Sequence, residues 1–377
     1  MAVRSIWPPP SYLLPSSVSI QHTITTQHNN LSRRFFEVTW YPTLMSDFIR
    51  SVKCAAVYSQ LIPALTLAGQ LGFSGLELHA LESLYQFPAE ERAKAVVSSW
   101  ATVGKPDITH LCVHMPLPDR LDTIDALRYD LGSPEGVYVE GLILDSMDEG
   151  GMVAQAIGAT QLYFNIHLLG LMQEGQDPGS MRARRGMRAR KALGDLVSAA
   201  SYCASRYGVP ASIVRENNPP DHGGMQGVLD LDPRDMLDSP GDVLLNIDLA
   251  HFRMYEHART GEMRRCARHP SAPRSYLTPT MSRYPECWAG CVLQVIAPRL
   301  GIIHISDASG PTKADEGLPI GQGDAPFTSW LEILGKGIVR DVMAVYEFKN
   351  GHDDWGLTRD ADQRLAKVLG ARSYRTA

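Results

Sequence analysis

From residue 35 the chain alternates between short apolar runs rich in β-branched residues and longer stretches with apolar positions at helical spacing. The short runs are FFEVTWY (35–41), GLELHA (75–80), ITHLCVHM (108–115), QLYFNIHL (161–168), ASIVREN (211–217), VLLNIDL (243–249), GIIHIS (301–306) and VMAVYEF (342–348). Helical stretches lie between them, among them YSQLIPALTLAGQLG and RKALGDLVSAASYCASRYG, with Gly72 and Gly208 where C-terminal caps are expected. Eight apolar strands alternating with helices predict parallel strands covered by helices. The count is that of a closed (β/α)8 barrel, spanning 35–377. An open doubly wound sheet is the alternative, but no glycine-rich phosphate turn follows the first run.

Two segments break this rhythm. LLGLMQEGQDPGSMRARRGMRARK follows the fourth run and carries Arg182, Arg184, Arg185, Arg188, Arg190 and Lys191. A long, locally basic insertion, roughly 253–286, follows the sixth. Both leave the C-terminal ends of strands, where barrel enzymes build substrate loops. A solvated helix face is the simpler reading of the arginine run, and a clamp for an anionic substrate is the functional one. Residues 1–34 contain no acidic residue and are rich in Ser, Thr, Gln, Asn and Pro, so a flexible extension is expected there.

Composition narrows the functional classes. The formal net charge is -5 over 377 residues, which disfavours nucleic acid or an anionic membrane as partner. No apolar run approaches the ~20 residues of a membrane span, and a cytoplasmic location is the default. Six cysteines in so long a chain do not form a secreted disulfide framework. Cys266, His269, Cys287 and Cys291 have spacings a zinc ion could bridge, though without a finger pattern, and unpaired thiols are the simpler reading.

The chemistry lies at the strand ends. The third run ends at His114, the fourth at His167 and the fifth in Arg215-Glu216-Asn217-Asn218. The sixth gives Asp248 and, three positions on, His251; the seventh gives His304 and Asp307; the eighth gives Glu347. A lone strand histidine is usually a hydrogen-bonded core residue. Carboxylates and imidazoles ending consecutive strands are hard to explain by packing, because a buried charge needs a partner. In a barrel these ends converge on one mouth, where such donors suit a divalent Mn, Zn, Co, Fe or Mg ion.

RENN around Glu216, DLAH at Asp248 and His251, HISD at His304, LPIGQGDAPFTSWLEIL and YEF at Glu347 together resemble the xylose-isomerase-like TIM barrels. That group includes sugar isomerases and epimerases, inosose dehydratases and the endonuclease IV type, and the resemblance covers roughly 35–370. It implies one metal held by Glu216, Asp248, His304 and Glu347. It implies that His251 touches substrate or a second metal, and that His114, His167 and Asn217 are substrate contacts. The endonuclease IV type adds histidines from earlier strands, which His114 and His167 match, and a late-loop aspartate, which Asp315 matches. That type has a histidine two residues further on, where this chain has Gly317. Many ketose epimerases carry an arginine after the seventh-strand histidine; here Lys313 is the only cation of ASGPTKADEG and is assigned to substrate.

The resulting expectation is a divalent-metal-dependent isomerase or epimerase acting on a small sugar or polyol through an enediolate, with a keto-polyol lyase as a close variant. Glu216 and Glu347 would move the proton, with His251 beside them. The alternatives are an endonuclease IV-like phosphodiesterase, a metal-dependent oxidase or tailoring enzyme on the same barrel, and a non-catalytic binding barrel. Members of the group often dimerise, so a homo-oligomer is expected.

Overall fold

The chain closes eight parallel strands into a barrel, as the alternation predicts. The computed structural model describes residues 48–55, 58–117, 131, 136–168, 171–172, 178–222, 225–227, 229–268, 289–349 and 355–368. The barrel strands are β1 (Phe48–Ala55), β2 (Gly75–Leu81), β3 (His110–Leu117), β4 (Gln161–His167), β5 (Ala211–Glu216), β6 (Leu244–Asp248), β7 (Leu300–Ile305) and β8 (Val342–Tyr346). They run in sequence order round the barrel, and β1 closes on β8 in parallel register.

Seven of the eight strands fall where the pattern puts them, and the first does not. FFEVTWY (35–41) and the extension at 1–34 lie outside the described residues; the first barrel place belongs to FIRSVKCA, 48–55. Arg50 and Lys53 interrupt that run and hide its apolar signal.

The described helices are α1 (Tyr58–Leu71), α2 (Ala89–Thr102), α3 (Val137–Ile157), α4 (Pro178–Tyr207), α5 (Leu249–Arg268), α6 (Ala289–Ile296), α7 (Phe327–Gly337) and α8 (Trp355–Val368). Gly72 and Gly208 follow α1 and α4 with positive φ, which the absence of a side chain permits. Between β5 and β6 the described residues hold no α-helix, but a short antiparallel pair, Asp221–His222 with Met225–Gly227, and a 3₁₀ turn at Pro233–Asp238. The arginine run belongs to the first half of the 30-residue α4, where Arg188 and Arg190 are exposed, as on a solvated face. The basic insertion begins as a continuation of α5; residues 269–288 lie outside the described residues, and with them His269 and Cys287 of the possible zinc set. No described helix is long and apolar enough to cross a membrane.

The two-residue period of a strand sorts side chains between the two faces. Residues such as Leu111, Ile213, Ile303 and Ala344 pack outward in the large core beneath the helices. Their neighbours Cys112, Val214, Ile302 and Met343, with Tyr163, Leu244 and Val345, form a separate apolar plug inside the barrel. Continuing the inward parity by two residues per strand gives His114, Glu216, His304 and Glu347. Pleat and register therefore place a polar layer directly above the plug. At Gly75 of β2 there is no room for a side chain beside β1: an added Cβ would lie 1.8 Å from Ser51 Oγ.

Candidate metal centre

Glu216, Asp248, His304 and Glu347, from β5, β6, β7 and just past β8, each present a donor atom, and the four atoms lie within 4.8 Å of one another. Parallel register brings them level: His304 pairs with Asp248 across β7 and β6, and with Val345, two residues before Glu347, across β7 and β8. His304 Nδ1 lies 2.6 Å from Glu347 Oε2, 3.1 Å from Glu216 Oε1 and 3.8 Å from Asp248 Oδ2. One ring nitrogen carries at most one proton and cannot satisfy three carboxylates. Burial pushes the Asp248 carboxyl up to about 6; His251 pulls it down, while the Glu347 and Glu216 charges add to the rise. Burial opposes a charge on His304, but Glu216, Glu77 and Glu347 hold its pKa well above the ordinary imidazole value. A crowd of carboxylates around one imidazole nitrogen fits a divalent cation, which Zn, Mn, Co, Fe or Mg could supply.

The other histidines are held ready in the same way. His114 Nδ1 lies 3.1 Å from the Met115 carbonyl, His167 Nδ1 2.9 Å from Asn218 Oδ1, and His251 Nδ1 2.9 Å from the Asn217 carbonyl. Each acceptor takes the Nδ1 hydrogen bond, and Nε2 then faces Glu216 in His114 and His167 and Glu316 in His251. Nε2 of His114 and of His167 lie 3.4 Å and 3.3 Å from Glu216 Oε2, a second group with metal-ligand proximity that shares Glu216 with the first. Burial drives the His167 pKa down to about 4, which keeps that ring neutral.

Several expected site residues have structural engagements. Both ends of the Asn217 amide clasp the Asp248 main chain, with Asp248 N–H donating to Oδ1 at 2.7 Å and Nδ2 donating to the Asp248 carbonyl at 3.2 Å. Asp307 does not join the metal group. Its carboxylate accepts N–H bonds from Ala308, Gly321, Gly323 and Ala325 and so shapes the glycine-rich loop. A Cβ at Gly323 would come within 2.4 Å of that carboxylate. Asp315 caps its own turn through Thr312 and is absent from both described metal groups. Lys313 pairs with Glu316 at 2.5 Å, and Glu316 lies 3.4 Å from His251 Nε2. Burial would lower the His251 pKa, but Asp248 and Glu316 raise it to about 9.

Sequence reasoning missed Lys53, Glu77, Asn165 and Glu316. Asn165 Nδ2 donates to Glu216 Oε2 at 2.5 Å, and Glu77 Oε2 accepts from His304 Nε2 at 3.0 Å. A signal for Glu77 was available: a carboxylate between two leucines in GLELHA, the same oddity that marks Asp248.

Fold and site together define a (β/α)8 barrel with a carboxylate–imidazole cluster able to hold a divalent metal at its C-terminal mouth. Solved structures to which it is similar are sugar epimerases and other xylose isomerase-like barrels. They include 3-keto-D-glucoside 4-epimerase from E. coli (14% identity, 85% of this chain and 99% of that one, TM-score 0.47). A D-allulose 3-epimerase from Methylomonas sp. in complex with D-allulose is similar at 14% identity over 86% of this chain and 95% of that one, TM-score 0.48. So is a xylose isomerase-like TIM barrel protein from Mycobacterium smegmatis in complex with magnesium (13%, 86% and 98%, TM-score 0.48). No family model matches the sequence, and neither does any curated protein. At these scores the fold rests on the closed strand order, and function rests on the side chains themselves.

Proposed function

We propose that the protein is a divalent-metal-dependent isomerase or epimerase of a small ketose-like sugar or polyol, with a keto-polyol lyase as the nearest variant. The observation that carries this reading is the convergence of Glu216, Asp248, His304 and Glu347 within 4.8 Å. A divalent ion held by these four would polarise a carbonyl and offset the charge that develops when the neighbouring carbon loses its proton. Glu347 is the carboxylate assigned to that proton, because its side chain is 31% exposed while those of Glu216, Asp248 and His304 are at most 3% exposed. Glu216 opposes it from β5, and His251, charged at neutral pH and backed by Glu316, orients a substrate oxygen. Lys313, whose side chain is half-exposed and whose ammonium pairs with Glu316, is assigned to a substrate hydroxyl or phosphate.

The test is isotope exchange. Metal-loaded protein is incubated in D2O with ketoses, their phosphates and inososes, and proton NMR follows the carbon beside the carbonyl. Deuterium entering one member of the panel is expected, and no exchange with any of them counts against the reading. Asp248→Ala and His304→Ala are each expected to drop bound metal well below one ion per chain and to abolish turnover, with the circular dichroism of the barrel retained. Full metal occupancy in either variant would show the ligand set to be wrong.

One observation favours a second reading, a metal-dependent phosphodiesterase: His114, His167 and Glu216 form a further group that could take a second ion, and paired ions suit phosphoester hydrolysis. Against it stand the net charge of -5, the position of Asp315 and the absence of an imidazole at Gly317. Duplex DNA with an abasic site is expected to bind weakly at physiological salt and to remain uncut. Efficient metal-dependent cleavage of that DNA would favour the phosphodiesterase.

A further inference from the structure

Lys53 lies inside the barrel with its side chain 1% exposed, a costly place for an ammonium unless its partners require it. Register explains the partners. Lys53 of β1 pairs directly with Glu77 of β2, and Val52 pairs with Tyr346 of β8, so Lys53 is level with Glu347 on its other side. Its Nζ lies 3.0 Å from Glu77 Oε1 and 2.6 Å from Glu347 Oε1. Glu77 turns its second oxygen to His304 Nε2 at 3.0 Å. A continuous chain therefore runs Glu347, Lys53, Glu77, His304. It begins and ends on candidate metal ligands and touches each on the side away from the ligand cluster: Glu347 through Oε1 while Oε2 faces His304 Nδ1, and His304 through Nε2 while Nδ1 faces the carboxylates.

We propose that Lys53 and Glu77 are positioning residues that lock Glu347 as a one-oxygen ligand and His304 as an Nδ1 ligand of the metal. The proposal rests on the metal-centre reading above. Bare charge and positioning predict opposite signs. Removing a buried ammonium a few ångströms from a cation site should tighten cation binding if Lys53 acted through its charge alone. If it acts by holding Glu347 in place, its removal should weaken binding, and outer-shell partners of this kind are worth ~10–100-fold in metal affinity.

The test is titration of the full-length chain with Co²⁺, followed by visible absorption, for wild type, Lys53→Met, Lys53→Arg, Glu77→Gln and the charge-neutral double variant Lys53→Met/Glu77→Met. The double variant leaves no unpaired buried charge should Lys53→Met alone fail to fold. Expected for Lys53→Met, or for the double variant in its place, is Co²⁺ affinity reduced ~10–100-fold with an altered ligand-field band, as Glu347 turns to bind through both oxygens or swings away. Lys53→Arg should recover most of the affinity and the wild-type band, and Glu77→Gln should weaken binding less than Lys53→Met. Affinity that is unchanged or raised in folded Lys53→Met and in the double variant, with the wild-type band intact, overturns the positioning role while leaving the metal centre standing. A folded wild type that takes up no Co²⁺ overturns both.

Discussion

Glu347→Gln, loaded with metal, is expected to lose ~10²–10⁴ in turnover and in deuterium exchange beside the carbonyl, the usual contribution of one positioned acid or base. Glutamine keeps the size of the side chain and one oxygen donor but cannot accept a proton. Of the carboxylates in the cluster, Glu347 has the most accessible side chain, at 31%. Its Oε1 is held by Lys53 at 2.6 Å, and its Oε2 lies buried 2.6 Å from His304 Nδ1, inside the ligand cluster. Glu216 is different: Asn165, His114, His167 and His304 enclose its carboxylate completely. Glu216→Gln should therefore lose metal as well as turnover, whereas Glu347→Gln should retain most of its metal. The two are separated by metal analysis of each variant beside its exchange rate. Wild-type exchange in metal-loaded Glu347→Gln would remove Glu347 from the proton path and move that role to His251 or Glu216.

Arg215→Met is expected to lower the stability of the fold by ~3–5 kcal/mol, the cost of stripping one partner from a buried ion pair. Arg215 precedes Glu216, but opposite parity turns it away from the mouth. Its guanidinium donates to both oxygens of Asp230, at 2.7 Å and 2.6 Å, and to Asp238 and Ser239 at 2.9 Å and 2.6 Å. This network ties β5 to the 3₁₀ turn that stands in the β5–β6 crossover. Methionine fills a similar volume but leaves the Asp230 carboxylate, 1% exposed, without its guanidinium. Urea unfolding measures the loss, and a change below ~1 kcal/mol would mean that the turn relaxes to hydrate Asp230.

The contrast between Arg215 and Glu216 marks what could be read from the chain. Strands two to eight were legible because buried parallel strands are nearly continuous apolar runs, and an odd charged residue at the end of such a run stands out. Asp248 in LLNIDLAH and His304 in GIIHIS carry that signal plainly. The first strand was not legible, because FIRSVKCA holds two cations and a serine, one of them the interior Lys53. Missing that strand concealed Lys53, and with it the register partner that accounts for Glu77. Asp307 misled for a reason of geometry. A carboxylate just past a strand end is equally suited to a metal and to a loop's N–H groups, and only the folded path of 319–325 decides for the loop. Glu316 was passed over beside Asp315, because loop conformation, which no periodicity encodes, determines which of two adjacent acids turns toward His251.

The most direct measurement is the metal content of the purified full-length chain, by mass spectrometry of the metal against protein concentration after dialysis with Mn²⁺, Zn²⁺ or Co²⁺ and removal of the free ion. One tightly held divalent ion per chain, lost in Asp248→Ala, is the predicted result. A folded chain that retains none would contradict the account, and more than one ion per chain would contradict the isomerase reading in favour of the phosphodiesterase.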